Sequence, residues 1–234
     1  WAFKQLFDKD AVYRGLRVMP YSTACTTPLS NFEAQQNYKE VNDPAITIAF
    51  PLVDDPNTVL VAWTTTPWTL PANIALAVNP DFTYVKIYDE NAKKNYILLE
   101  ALIGTLYKKP AQAKYKVVEK IPGKELVGLK YVPLFDYFYD TFKDYGFKVI
   151  PGSYVTDDSG TGIVHQSRSY GEEDFNCATA AGVITEKRPP PSVVDDTGKM
   201  TSDAKLVSGM YFKDADKVII KKLVEDGSIV GNSQ

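Results

Sequence analysis

Apolar and polar residues alternate along much of the chain, in short runs separated by turn-forming residues. Val12-Tyr13-Arg14-Gly15-Leu16-Arg17-Val18-Met19 has the alternation of a half-buried strand, and Ala45 to Leu52 predicts another. Val59-Leu60-Val61-Ala62-Trp63 is apolar throughout, which predicts a strand covered on both faces. Further strands are predicted over Ile74–Val78, Tyr84–Tyr88, Tyr96–Leu99, Lys116–Lys120, Leu129–Val132, Lys148–Ile150 and Tyr154–Thr156, and in Gly160–His165 after a glycine turn. Helical spacing is found over residues 3–9, Glu100–Leu106, Glu172–Ala181 and Asp214–Asp226. In the last of these, Val218, Ile219, Leu223 and Val224 share a face and Gly227 ends the helix. Residues 20–32 are turn-rich, and the aromatic stretch Asp136–Phe142 fits either pattern. Many short strands with a few helices predict an α+β fold whose sheet curls like a barrel. The whole chain, 1–234, is read as one domain, with 108–150 as a candidate peripheral insertion.

Composition narrows this picture. A hydrophobic share of 44% and a charged share of 24% are those of an ordinary soluble globular protein. No apolar run approaches the ~20 residues that span a bilayer, so no membrane segment is expected. The opening residues from Trp1 lack the basic start, apolar run and cleavage site of a signal peptide. They also lack an initiating Met, and the chain ends at Gly227–Gln234 without a closing element, which points to a piece of a longer polypeptide. Two cysteines and one histidine do not make a zinc site. Cys25 and Cys177 are expected to be reduced, buried thiols in a cytoplasmic protein. A net charge of −3 excludes wholesale binding of a nucleic-acid backbone, which needs a basic surface. A nucleic-acid partner would be gripped at a short end, or with help from the rest of the parent protein.

Two segments carry chemistry. In Trp63-Thr64-Thr65-Thr66-Pro67-Trp68-Thr69-Leu70-Pro71-Ala72-Asn73 a strand delivers a cluster of hydroxyls into a stretch stiffened by two prolines. Hydroxyls donate and accept hydrogen bonds without charge, which suits holding a water, a ribose or an ester oxygen. In Gly160-Thr161-Gly162-Ile163-Val164-His165 the glycines allow close backbone approach to a ligand and lead to the chain's one histidine. Asp174 follows at a predicted helix start, where an anion in a pocket suits a substrate ammonium. A Ser167-His165-Asp174 triad lacks the Gly-X-Ser-X-Gly elbow, and there is no phosphate-binding Gly-Lys-Ser/Thr loop. The acidic pairs Asp54-Asp55, Asp157-Asp158 and Asp195-Asp196 read as solvated turn residues.

Taken together, these segments resemble the editing (connective peptide 1) domain of class Ia aminoacyl-tRNA synthetases, in the isoleucyl-tRNA synthetase branch. Met19-Pro20-Tyr21-Ser22-Thr23-Ala24-Cys25-Thr26-Thr27-Pro28-Leu29-Ser30-Asn31-Phe32-Glu33 is similar to that branch, and Val132-Pro133-Leu134-Phe135-Asp136-Tyr137-Phe138 and Lys213-Asp214-Ala215-Asp216 to its eukaryotic cytoplasmic form. The resemblance implies hydrolytic proofreading of valine wrongly esterified to the tRNA for isoleucine; whether valyl-adenylate is also a substrate stays open at this point. It implies that Thr64, Thr65, Thr66 and Thr69 line the place of the terminal adenosine and ester. Trp68 and His165 would be the walls that exclude isoleucine, with Gly162 and Ile163 beside them. Asp174 would hold the α-ammonium, and Asn73 would be a polar residue linked to editing. Threonines 64, 65 and 66 with Asp174 are the expected catalytic set. No cofactor or metal is implied for editing; ATP and magnesium belong to the parent enzyme's synthetic site, outside this chain. The implied partners are a tRNA 3′ end carrying valine and the remainder of the synthetase, with the chain a monomer. After His165-Gln166 the family has Ala-Pro, whereas this chain has Ser167-Arg168, which removes a rigid turn and adds a cation. That departure motivates a second reading, a non-catalytic docking module for the charged tRNA end.

Overall fold

A computed structural model describes residues 1–107, 114–167 and 169–230. Its strands are β1 (Tyr21–Ser22), β2 (Thr27–Pro28), β3 (Ile46–Pro51), β4 (Thr58–Thr64), β5 (Ala75–Val78), β6 (Thr83–Asp89), β7 (Lys94–Leu99), β8 (Tyr115–Pro122), β9 (Lys148–Pro151) and β10 (Ile163–Gln166). The pair β1–β2 is a separate hairpin. The other eight form one mixed sheet in the order β8-β6-β7-β4-β10-β5-β9, with β3 also on β4. The expected α+β fold with a curled, barrel-like sheet is what the chain adopts.

Single bridges join the two sides of the curl. Lys130 pairs with Lys148 of β9, and Leu52, just past β3, pairs with Tyr131. The β9 edge is thereby tied back to β3, and Tyr131 is drawn into the enclosed core at 1% exposure. Alternation along the strands sorts their side chains into two clusters. Ile46, Ile48 and Phe50 of β3 and Leu60 and Ala62 of β4 face the larger one. Ala49, Val59 and Val61 face a smaller one with Val85, Ile87 and Leu98. This accounts for the uninterrupted apolar run of β4, which is covered on both faces as its sequence predicts.

The helix Phe212–Glu225 turns Ala215, Ile219 and Leu223 onto the larger core. The helix Glu172–Ala180 begins with Glu172, Glu173 and Asp174 in its first turn, and the short helix Ala2–Asp8 buries none of its residues.

Several sequence expectations differ from the structure. Residues 11–20 form no strand and are largely exposed, because an alternating segment needs a neighbour to pair with. Leu129–Val132 is reduced to the single bridges just described, Tyr154 lies in a turn, and Asp136–Phe142 resolves into a short helix at Tyr139–Phe142. The stretch 108–150, read as a peripheral insertion, is woven into the domain in its described part. It supplies β8, β9 and the core residues Leu126, Tyr131, Phe142 and Phe147. Residues 108–113 lie outside the described residues. Neither cysteine is in a disulfide, but Cys25 is exposed rather than buried, and Cys177 Sγ donates to the Pro151 carbonyl (2.9 Å). Among the described residues no helix is long and apolar enough to cross a membrane.

Candidate active site

The two chemistry-bearing segments are far apart in sequence, but their strands are neighbours. Strand β10 lies between β4, which it meets in parallel at Val164–Trp63, and β5, which it meets antiparallel. The threonine segment leaves the end of β4 and the histidine rides on β10, so both border one cavity of about 1000 Å³. Thr64, Thr65, Thr66, Trp68, Thr69, Gly162, Ile163, His165 and Asp174 all line it. Residues 16–21, with Thr23 and Pro28 of the β1–β2 hairpin, also line it.

The sequence after β4 fixes the hydroxyls. Pro67 opens a 3-10 helix, Pro67–Ala72, whose tight winding places Thr69 beside Thr66. The Thr66 N–H donates to Thr64 Oγ1 (3.1 Å), and the Thr69 hydroxyl donates to the Thr66 carbonyl (2.8 Å). Oγ1 of Thr66 lies 3.2 Å from that of Thr64 and 3.3 Å from that of Thr69. Thr69 Oγ1 is 3.0 Å from His165 Nε2. Thr64, Thr69 and His165 are buried, while Thr65 is exposed at the rim, outside this chain of contacts.

Asn73 is not on the cavity wall. At the end of the 3-10 helix its backbone turns extended (ψ 128), and its buried side chain points behind the histidine. Asn73 Nδ2 lies 2.7 Å from His165 Nδ1 and donates to the Ala75 carbonyl (3.0 Å), while the Tyr131 hydroxyl donates to Asn73 Oδ1 (2.6 Å). Asn73, one of the expected substrate-site residues, thus touches His165, which faces the cavity, rather than lining the cavity itself. Gly162 also has a different reason for being glycine. Its φ is +75, and a Cβ there would lie 2.3 Å from Leu99 Cβ, so packing against β7 excludes a side chain.

Asp174 is held by donors from β10 and its neighbours. Gln166 Nε2 (2.9 Å) and the Tyr154 hydroxyl (3.2 Å) donate to Oδ1, and the Ser167 N–H donates to Oδ2 (3.2 Å). Gln166 Nε2 also donates to the Tyr154 oxygen. Burial, aided by the Asp174 charge, holds the Tyr154 phenol far above its usual range, so it remains a donor. Ser167, in place of the family's alanine, buries an Oγ with no partner among the described residues. Arg168 lies outside the described residues.

Trp68 is clamped between Tyr170 and Phe212, each with ring centroids 4.8 Å away. Its backbone N–H donates to Oδ1 of Asp216, a carboxylate at 3% exposure on the helix Phe212–Glu225 (2.8 Å). Tyr131, Tyr154, Gln166 and Asp216 were not singled out as site residues by sequence. Asp216 and Gln166 had a signal, in Lys213-Asp214-Ala215-Asp216 and in His165-Gln166. Desolvation raises the Asp216 pKa, against the Trp68 N–H and Lys213, which lower it; Asp43 adds to the rise. A raised folded pKa gives a contribution that is full below the unfolded value of about 3.9 and is lost as pH rises through the folded value. At neutral pH the charge is thus a cost and the accepted N–H a gain. Asp216→Asn, which keeps an acceptor oxygen, is expected to hold or raise the melting temperature at pH 7. Asp216→Ala is expected to lose about 1–3 kcal/mol by leaving the Trp68 N–H unmet. Thermal melts of the two variants at pH 7 and pH 4 check this; equal losses at pH 7 would contradict it.

Among the described residues no three His, Cys, Asp or Glu side chains are grouped to hold a metal ion. The class I tRNA synthetase family (I, L, M and V) matches residues 1–223. The cytoplasmic isoleucine–tRNA ligase of Saccharomyces cerevisiae is 59% identical over 234 residues, covering 100% of this chain and 22% of the relative. That of Mus musculus is 50% identical over 230 residues, covering 98% of this chain and 18% of the relative. The chain thus spans about a fifth of the length of these relatives. The editing domain of the P. knowlesi cytosolic leucyl-tRNA synthetase shares the fold, with a TM-score of 0.58 at 14% identity, over 85% of this chain and 100% of that one. The P. falciparum counterpart has a TM-score of 0.56 at 10% identity, over 80% of this chain and 98% of that one. Matched by one family over residues 1–223 and by its relatives end to end, the chain belongs to the class I tRNA synthetases (I, L, M and V).

Proposed function

We propose that this chain is the editing unit of a cytoplasmic isoleucine–tRNA ligase and hydrolyses valine from mischarged tRNA. The observation that carries the reading is the meeting of the threonine hydroxyls, His165 and Asp174 around one cavity. A carboxylate at one end suits the α-ammonium of an aminoacyl group. Uncharged hydroxyls suit the water and the ribose, and the Trp68 and His165 walls set the size of side chain admitted.

The reaction is attack of water on the aminoacyl ester carbonyl. The carbon–oxygen bond to the ribose breaks, the ribose oxygen takes a proton from the attacking water, and the free amino acid leaves. The ester is an activated bond, so placement of the water contributes more than a strong nucleophile. No covalent intermediate, metal or cofactor enters this scheme. The acidic chain supplies no broad basic surface, so the remainder of the synthetase holds the tRNA body and this domain receives only its end.

One methylene is worth roughly 1–3 kcal/mol in a binding pocket, and the handling of isoleucine against valine by this enzyme class is the standard illustration. Hydrolysis of valyl-tRNA over isoleucyl-tRNA, both on the isoleucine tRNA, is accordingly expected to differ by about 10–200-fold. The measurement is single-turnover deacylation by the chain within its full synthetase. Equal rates on the two esters, or binding of the charged end without turnover, would refute the assignment.

A further inference from the structure

We infer that the Ala75 and Thr66 carbonyls, acting through Asn73 and Thr69, fix which nitrogen of His165 carries the proton, and so turn the lone pairs of the threonine cluster toward the cavity, with Asn73 the positioning residue and Tyr131 its support. The hydrolytic consequence rests on the editing reading; the proton placement does not.

Two carbonyls, one at each end of the network, set the arrangement independently. A carbonyl only accepts. Asn73 lies 3.0 Å from the Ala75 carbonyl through Nδ2, so the amide presents N–H there and the same nitrogen donates to His165 Nδ1. Oδ1 then faces Tyr131 and accepts its hydroxyl hydrogen. At the other end the Thr69 hydroxyl spends its one hydrogen on the Thr66 carbonyl. Its contact with His165 therefore requires Nε2 to be the donor. Both ends give the same tautomer, with Nδ1 accepting and Nε2 protonated.

The order continues through the hydroxyls. With its hydrogen committed, Thr69 Oγ1 accepts from Thr66, so the Thr66 hydroxyl hydrogen points to Thr69. The remaining contact is then made by the Thr64 hydroxyl donating to Thr66. Every hydrogen of the cluster is directed inward along the chain Thr64, Thr66, Thr69. What remains for the cavity is acceptor capacity on Thr64 and Thr66, suited to the hydrogens of an attacking water. In this arrangement His165 supports the cluster as a donor and is not a general base: Nδ1 is engaged and Nε2 is protonated. A second proton would set Nδ1–H against the Asn73 N–H.

Tyr131 supports this order from behind Asn73. Its ring packs edge-on against Phe50 at 5.2 Å and Phe147 at 6.3 Å, and the Lys130 and Leu52 bridges hold its backbone in the closure of the sheet. Removing only its hydroxyl leaves a buried amide oxygen without that donor, but the Ala75 carbonyl still requires the Asn73 N–H.

His165 is the chain's one histidine, so ring-nitrogen NMR of the 15N-histidine-labelled chain yields a single, self-assigned pattern. In the unmodified chain the protonated nitrogen is expected to be Nε2. In Tyr131→Phe the Nε2–H pattern is expected to persist, because both carbonyls remain. Asn73→Asp, which offers an acceptor to Nδ1, is expected to move the proton to Nδ1. Asn73→Asp within the full synthetase is expected to lose about ten-fold in kcat for valyl-tRNA hydrolysis, with KM within about two-fold, a loss of ~1.4 kcal/mol in transition-state stabilisation. A protonated Nδ1 in the unmodified chain overturns the inference, as does an unaltered Nε2–H pattern in Asn73→Asp or a lost one in Tyr131→Phe. Absence of hydrolysis by the unmodified synthetase would instead refute the editing reading and leave the ring pattern to be judged on its own.

Discussion

Asp174→Ala is expected to lower the rate of valyl-tRNA hydrolysis by about 100–1,000-fold while leaving the domain folded. Removing one partner of a buried, hydrogen-bonded charge pair costs about 2–5 kcal/mol, and ~3–4 kcal/mol corresponds to that range of rates. Asp174 takes donors from Gln166, Tyr154 and the Ser167 N–H. The aspartate therefore has one orientation before a substrate arrives, and little of the binding energy goes into ordering it. Asp174→Asn separates charge from shape. The amide keeps the volume, but its NH₂ meets either the Gln166 NH₂ or the Ser167 N–H, and it offers no charge to the substrate ammonium. It is expected to fall nearly as far as Ala. Single-turnover deacylation, with a thermal melt to verify folding, is the check. Retention of activity within about three-fold by Asp174→Ala would remove Asp174 from the site, and recovery in Asp174→Asn alone would mean that only shape matters.

Much of the fold was legible because strand periodicity and burial coincide. β4 is the clearest case: its unbroken apolar run required cover on both faces, and it has two clusters to supply it. The site was legible for a related reason. Threonines, prolines, glycines and the single histidine stand out locally, and neighbouring strands bring them together. What the sequence hid is long-range. Nothing near Tyr131 marks it as the end of a hydrogen-bond chain to Thr64. Its position depends on bridges that close the sheet between segments remote in sequence. Asn73 entered the candidate set only through the family resemblance, and one extended backbone torsion sends it behind the histidine. The alternation at Val12–Met19 misled in the opposite direction, since periodicity reports a face to be covered and not the presence of a partner strand.

Gly162→Ala is expected to cost about 2–5 kcal/mol and to lower the melting temperature by about 5–15 °C. Two penalties combine there. The positive φ costs an L-residue ~1–2 kcal/mol, and forcing a methyl into a packed contact typically costs ~1–3 kcal/mol. Neither neighbour can easily yield. Leu99 donates its N–H to the Thr161 carbonyl (2.9 Å), and the Gly162 carbonyl accepts the Tyr84 hydroxyl (2.7 Å), whose oxygen in turn accepts the Asn79 N–H (2.9 Å). Gly160 provides the contrast, because it shares the positive φ (+70) but its added Cβ would sit 3.4 Å from the Trp63 ring, an ordinary contact. Gly160→Ala is therefore expected to show the backbone penalty alone, about 1–2 kcal/mol. A double-mutant cycle isolates the steric part: in a Leu99→Ala background the added methyl has room, so Gly162→Ala is expected to cost less there, with a coupling of ~1–3 kcal/mol. Strict additivity of the two changes would show that the backbone conformation, and not Leu99, reserves this position for glycine. Gly162 is on the cavity wall two residues before Val164, where β10 pairs with β4, so the same strain would also move the histidine relative to the threonines. Hydrolysis is thus expected to fall in Gly162→Ala even at temperatures where the domain remains folded.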